Sequence, residues 1–198
     1  MEGDRFVAAE MEGPGVLWRA WSASALQGPV KIYLDGAPNP VMDLPFSGLF
    51  DAAHDPFKYA FLSYLSLSST NAYLQGKNLY FPIPYQKSCR IVLEGKWGDF
   101  YQFNYTTFPP GTTVPTFTGK LTPEETAAVK RVDDFFSSRL GTDPAGIRGG
   151  QEVVTRSVAP APGKTATVVD LSGPRAITAL RVKIAFKDRQ DQMDTLRK

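Results

Sequence analysis

The chain has 198 residues, with 22 Lys and Arg against 20 Asp and Glu, a formal net charge of +2 and 42% hydrophobic residues. That balance excludes a disordered chain and leaves no basic footprint for nucleic acid, and no apolar run reaches the roughly 18 residues that span a bilayer. A single cysteine, Cys89, and a single histidine, His54, exclude an internal disulfide and leave no Cys/His set for a metal or a His-activated nucleophile, so chemistry here must rest on carboxylates.

The first six residues lack the basic and apolar regions of a secretory leader, so the sequence assigns no compartment. Strand patterns follow at 16–23, 30–35, 89–93 and 100–108, rich in aromatic and β-branched residues. The 30–35 stretch alternates cleanly, with Val30, Ile32 and Leu34 on one face and Lys31, Tyr33 and Asp35 on the other. Seventeen Gly and sixteen Pro punctuate these strands at short intervals. Many short strands between turn clusters indicate an antiparallel sandwich rather than alternating β and α units.

One helix is signalled strongly. Thr122, Pro123 and Glu125 form an N-cap, a proline at the first turn and a capping-box acid. Ala128, Val132, Phe135, Phe136 and Leu140 recur at helical spacing, and Gly141 stands where a C-terminal cap belongs. The pattern predicts an external helix packed by Val132, Phe135 and Phe136. Residues 141–150 read as a linker, and strand patterns resume at 152–158, 165–171 and 176–186.

Glu10-Met11-Glu12-Gly13-Pro14 is echoed by Asp170-Leu171-Ser172-Gly173-Pro174, and each feeds a long β pattern. A tandem repeat follows from that echo. The expected fold is mainly β: an antiparallel β-sandwich of jelly-roll type with one external helix, followed by the start of a second jelly roll. The expected divisions are 1–120 for the first jelly roll, 121–150 for helix and linker, and 151–198 for the opening strands of a second, truncated one. On this reading Leu180, Val182, Ile184 and Phe186 leave an uncovered apolar face.

Two short motifs carry nothing. Pro162-Gly163-Lys164-Thr165 resembles the end of a phosphate loop, but Val158 occupies the required glycine position and a strand pattern follows. Asn104-Tyr105-Thr106 is a glycosylation sequon inside a strand pattern. Aromatics are the positive signal, at 12% of the chain. Trp18, Trp21, Tyr80, Phe81, Tyr85, Trp97, Tyr101 and Tyr105 fall in or beside strands, as core or as stacking surface for sugar rings. Arg19 and Trp21 share a strand face, so a cation and an indole there could meet a polyol; Arg19 could equally be paired with an acid.

Four blocks, at residues 12–22, 32–36, 79–90 and 100–105, occur in the order found in glycoside hydrolase family 172, first catalogued as a domain of unknown function, and the chain resembles that family. The resemblance implies two tandem jelly rolls, trimer-based homo-oligomers and action on furanosides such as α-fructofuranosides or D-arabinofuranosides, with no cofactor or metal. It implies a chain about twice this long, whose catalytic glutamates lie largely in the second repeat, so no catalytic residue is assigned here. Substrate-binding candidates are Trp18, Arg19, Trp21 and Asp43, the last as the counterpart of an acidic segment in the other repeat. The competing readings are a non-catalytic jelly roll that binds carbohydrate or only assembles, and a structural jelly roll of capsid type.

Overall fold

The computed structural model describes residues 5–66, 75–143, 146 and 148–196. The chain forms two units, residues 1–140 and 141–198. In the first, the described strands are β1 (Arg5–Glu12), β2 (Gly15–Ser22), β3 (Pro29–Leu34), β4 (Met42–Pro45), β5 (Ser63–Leu65), β6 (Lys77–Tyr85), β7 (Ser88–Glu94) and β8 (Tyr101–Thr107). They make two four-stranded sheets, ordered β1-β7-β3-β4 and β5-β6-β2-β8, with every ladder antiparallel. This is the expected antiparallel β-sandwich.

Alternation places the core between the sheets. Val30, Ile32 and Leu34 point inward from β3, Ile91 and Leu93 from β7, and Leu17, Leu79 and Ile83 from the opposite sheet, none more than 3% exposed. Gly15 and Tyr85 are register partners on β2 and β6. The fully buried Tyr85 ring lies so close to Gly15 that a Cβ there would sit 2.5 Å from the phenol oxygen. Burial pushes the Tyr85 hydroxyl up to about 12. It does the same to the Cys89 thiol, also raised to about 12, with the Asp35 carboxylate adding to the effect. Cys89 is therefore expected to ignore an aromatic disulfide reagent at about pH 8 until the sandwich unfolds. Thiol release should follow the unfolding curve in denaturant; prompt labelling of the native chain would show this core open.

The strand patterns at 16–23, 30–35, 89–93 and 100–108 correspond to β2, β3, β7 and β8. Four further strands lacked a legible pattern. β1 carries an irregularity between Val7 and Ala9 that breaks its period. β6 contains Pro82 and Pro84, which argue against a central strand. The prolines are tolerated because β5 reaches β6 only at residues 77–79. Past that point, among the described residues, β6 has no strand on its β5 side, so two missing N–H groups cost no ladder bond.

Helix α1 (Pro123–Arg139) has the expected capping box: the Thr122 hydroxyl accepts from the Glu125 N–H, and the Glu125 carboxylate accepts from the Thr122 N–H. Its packing differs from expectation. Val132, Phe135 and Phe136 are 45%, 39% and 42% exposed. Val129 meets the core instead, and one turn on Asp133 Oδ1 accepts the Phe61 N–H at 2.8 Å. A polar anchor to a backbone donor, which periodicity cannot register, holds the helix by its middle and leaves the aromatic residues in solvent.

In the second unit, helix α2 (Arg189–Leu196) is preceded by turns and irregular chain. The strand patterns at 152–158, 165–171 and 176–186 enter no sheet. Leu180, Val182 and Ile184 are 80%, 71% and 49% exposed, so this alternating row lacks the facing layer a strand needs. Gly173 takes a positive φ of 83°, but the Asp170–Pro174 echo stands in a bend without the ladders that flank Glu10–Pro14.

Candidate functional site

The outer face of the β5-β6-β2-β8 sheet gathers most of the unassigned polar and aromatic side chains. A bulge in β2 between Leu17 and Arg19, where it runs beside β8, sets it up. Leu17 and Ala20 face the core at 2% exposure each, while between them Trp18 is 46% exposed and Arg19 half-buried. One extra residue thus turns two successive side chains away from the core. Trp21 follows on the same face, half-buried, with its indole nitrogen beside Gly76.

Arg19 is the centre of this face. Its Nη1 donates to Gln102 Oε1 and Asn104 Oδ1, and its Nη2 to Asn78 Oδ1, each at 3.2 Å. The guanidinium lies over the Tyr80 ring, 5.4 Å from the centroid. Tyr80 in turn stacks on Tyr64, with centroids 6.3 Å apart and planes 19° apart. A row therefore crosses all four strands: Tyr64, Tyr80, Arg19, then Asn104 and Gln102. Burial raises the Tyr64 phenol above its ordinary range; Tyr80 adds to this and the Arg19 charge opposes it. Trp18 Nε1 donates to Thr106 Oγ1 at 2.9 Å, which fixes the indole beside the row.

All the partners of Arg19 are neutral. No Asp or Glu occurs in β2, β5, β6 or β8; their only formal charges are Arg19 and Lys77. With three amide oxygens turned toward the guanidinium, the NH₂ groups of Gln102 and Asn104 are directed elsewhere and can donate. The face offers aromatic surface, donors and a held cation, which suits a hydroxylated ligand. It offers no general acid, general base or nucleophilic carboxylate.

Trp18, Arg19 and Trp21 are thus brought together, and Asp43 is not. Met42 and Leu44 on either side of Asp43 are buried, so its carboxylate stands exposed on the outside of the other sheet, opposite Lys31 in register. The hydrophobic core lies between Asp43 and the Arg19 face. The sequence did not point to Asn78 or Gln102, because their role depends on pairings with Arg19 that are 59 and 83 residues apart and that no local pattern carries, nor to Tyr64, whose stacking on Tyr80 depends on the β5–β6 pairing. Asn104, noticed only as a sequon, orients Arg19. Of the other aromatics, Phe81 and Tyr85 are core, while Trp97 stacks on Phe6 and meets Phe46 and Tyr101 edge-on in a separate cluster. Among the described residues no group of three or more His, Cys, Asp or Glu is placed to hold a metal ion.

The GH172 first beta-sandwich domain matches residues 1–125 of the chain, which spans both sheets and the start of α1. No curated protein matches.

Proposed function

The chain belongs to glycoside hydrolase family 172, and from that membership we propose that it is part of a furanoside-acting hydrolase, of α-fructofuranosidase or D-arabinofuranosidase type, whose Arg19 face binds sugar. The observation that supports this is a guanidinium held by three amide oxygens and a Tyr ring on a sheet without a single acid. A retaining glycosidase needs two carboxyl groups about 5–5.5 Å apart. The Arg19 face has none, so its part in the reaction is to bind and orient. Gln102 and Asn104 donate to ring hydroxyls, Trp18 and Trp21 supply apolar surface to the sugar's C–H face, and the cleaving pair comes from outside these strands.

The reading is tested by titrating the chain with an α-arabinofuranosyl oligosaccharide and following the fluorescence of the exposed Trp18. Saturable quenching is expected, with Arg19→Ala weakening it about tenfold, the scale of one lost charge-assisted contact. Asp43→Asn, on the opposite sheet, should leave binding unchanged. No quenching, or equal damage from both variants, would remove the Arg19 face from the reading. Aryl α-furanosides should not be hydrolysed by these residues alone. A non-catalytic carbohydrate-binding protein shares this face, and the lack of any acid on it favours that second reading if no added segment restores turnover.

A further inference from the structure

On the β1-β7-β3-β4 sheet, cations stand beside acids: Arg5 and Lys31 each reach Glu94 at 2.8 Å, and Arg90 reaches Glu10 at 3.0 Å. Arg19, half-buried on the other sheet, differs. Among the described residues it enters no ion pair, and the three oxygens it meets belong to neutral amides. No acid is close in sequence either. Residues 13–34, 56–93 and 100–123 carry all four strands of its sheet and contain no Asp or Glu. A charge drawn partly out of water without an opposing charge is costly, and such groups are ordinarily paired.

The hydrogen bonds around Arg19 are also one-sided. A guanidinium has five N–H groups, and three of Arg19's go to amide oxygens. Among the described residues, its buried Nε–H and one Nη2–H meet no acceptor. Gln102 and Asn104 turn their oxygens to Arg19, so their NH₂ groups are left to donate. Thr106 Oγ1 accepts from Trp18, which leaves its proton to donate as well. The face therefore sets donors around an unopposed positive charge. A sugar hydroxyl accepts such bonds but must also place its own proton, and the amide oxygens are engaged. A phosphate or carboxylate only accepts, and it brings the missing charge.

We propose that the Arg19 face takes a furanoside bearing an anionic group, phosphate or carboxylate, which binds at the guanidinium. This deepens the sugar-binding reading above and rests on it. Tyr80 covers the flat side of the guanidinium, 5.4 Å from ring centroid to Arg19 Cζ, so the anion meets the N–H edge. It accepts there from Arg19 Nη2 and from the NH₂ groups of Gln102 and Asn104. The sugar ring then lies against Trp18, which is 46% exposed and held in place by its bond to Thr106. A neutral furanoside keeps the ring contact but leaves the charge unopposed, so the acidic group sets the preference of the site.

Calorimetric titration of the chain tests this with methyl α-D-arabinofuranoside and two derivatives, one with phosphate on the primary hydroxyl and one with a carboxylate in its place. Inorganic phosphate is the arm without sugar. The charged furanosides are expected to bind about tenfold tighter than the neutral parent, the scale of one charge-assisted contact. A preference for only one of the two identifies the anionic group. Raising NaCl from about 0.05 M to about 0.5 M should cut the preference several-fold, because screening weakens the ionic contact and spares the neutral one. Gln102→Glu sets an acid against Arg19 and should abolish the preference; circular dichroism shows whether that variant is folded, and the salt series decides the matter if it is not. Equal binding of neutral and charged furanosides, a preference indifferent to salt, or one kept by folded Gln102→Glu would overturn the proposal and leave the face a site for neutral sugar. Inorganic phosphate binding as tightly as the phosphorylated furanoside would remove the sugar and keep the anion. No binding by any of the four compounds would remove both readings.

Discussion

Asp35→Ala is expected to cost about 3–4 kcal/mol of stability, the sum of charge-assisted hydrogen bonds lost and a left-handed backbone no longer favoured. Asp35 ends β3 with a positive φ of 56°, a conformation that Asp tolerates better than Ala. Its carboxylate accepts the backbone N–H groups of Gln86, Lys87 and Ser88 at 3.3, 2.6 and 3.1 Å, and the Thr116 hydroxyl donates to it as well. Three donors of the β6–β7 turn and a loop 81 residues away thus converge on one side chain. Placed by alternation on the face away from Val30, Ile32 and Leu34, Asp35 is a clamp. Asp35→Asn keeps the backbone preference but loses the charge, and should cost roughly a third as much.

The same clamp fixes a pH dependence. Burial pushes the Asp35 carboxyl up, but the bonds from Thr116, Lys87, Ser88 and Gln86 together outweigh it, and the group sits below its ordinary value of 3.8. A depressed acid contributes stability above its unfolded-state value and loses it as pH falls through the folded one. The chain should therefore weaken below about pH 4, and that acid limb should flatten in Asp35→Asn. Urea unfolding at a series of pH values checks both; a wild-type and Asn pair with parallel acid limbs would show that Asp35 is not the clamp.

Gly98→Ala should be at least as damaging, about 3–5 kcal/mol, from backbone strain and a direct clash. Gly98 has a φ of 112°, where side-chain-bearing residues are strained, and a Cβ there would fall inside the carbonyl oxygen of Ser24. The loop cannot retreat without breaking other bonds. Leu26 N–H donates to Trp97 O at 2.8 Å and Gly28 N–H to Lys96 O at 2.9 Å, while Ser24 Oγ bridges the N–H and carbonyl of Asp99. Retreat would also pull Trp97 away from Phe6, Phe46 and Tyr101. Thermal unfolding should show a fall of about 6–20 °C, at about 2–4 °C per kcal/mol for a chain of this size. A change of a degree or two would mean that the loop moves freely.

How much was legible follows one physical line. Where a feature depends on neighbours within a few residues, the sequence by itself determined it: the alternation of Val30, Ile32 and Leu34, the capping box of Thr122 and Glu125, the turn-punctuated β pattern, and the four blocks that carry the family resemblance. Where it depends on which strand lies beside which, only the tertiary structure decided it. Arg19 and Trp21 share a face because they alternate on one strand, and that was readable. Asp43 joins the other sheet because β4 pairs with β3, and no local period distinguishes one sheet from its neighbour. The partners of Arg19 and the donors that converge on Asp35 are products of the same long-range pairing. The strand patterns at 152–186 show the converse. Alternation supplies a strand with a side to bury, but a strand forms only when another chain segment completes its hydrogen bonds and covers that side.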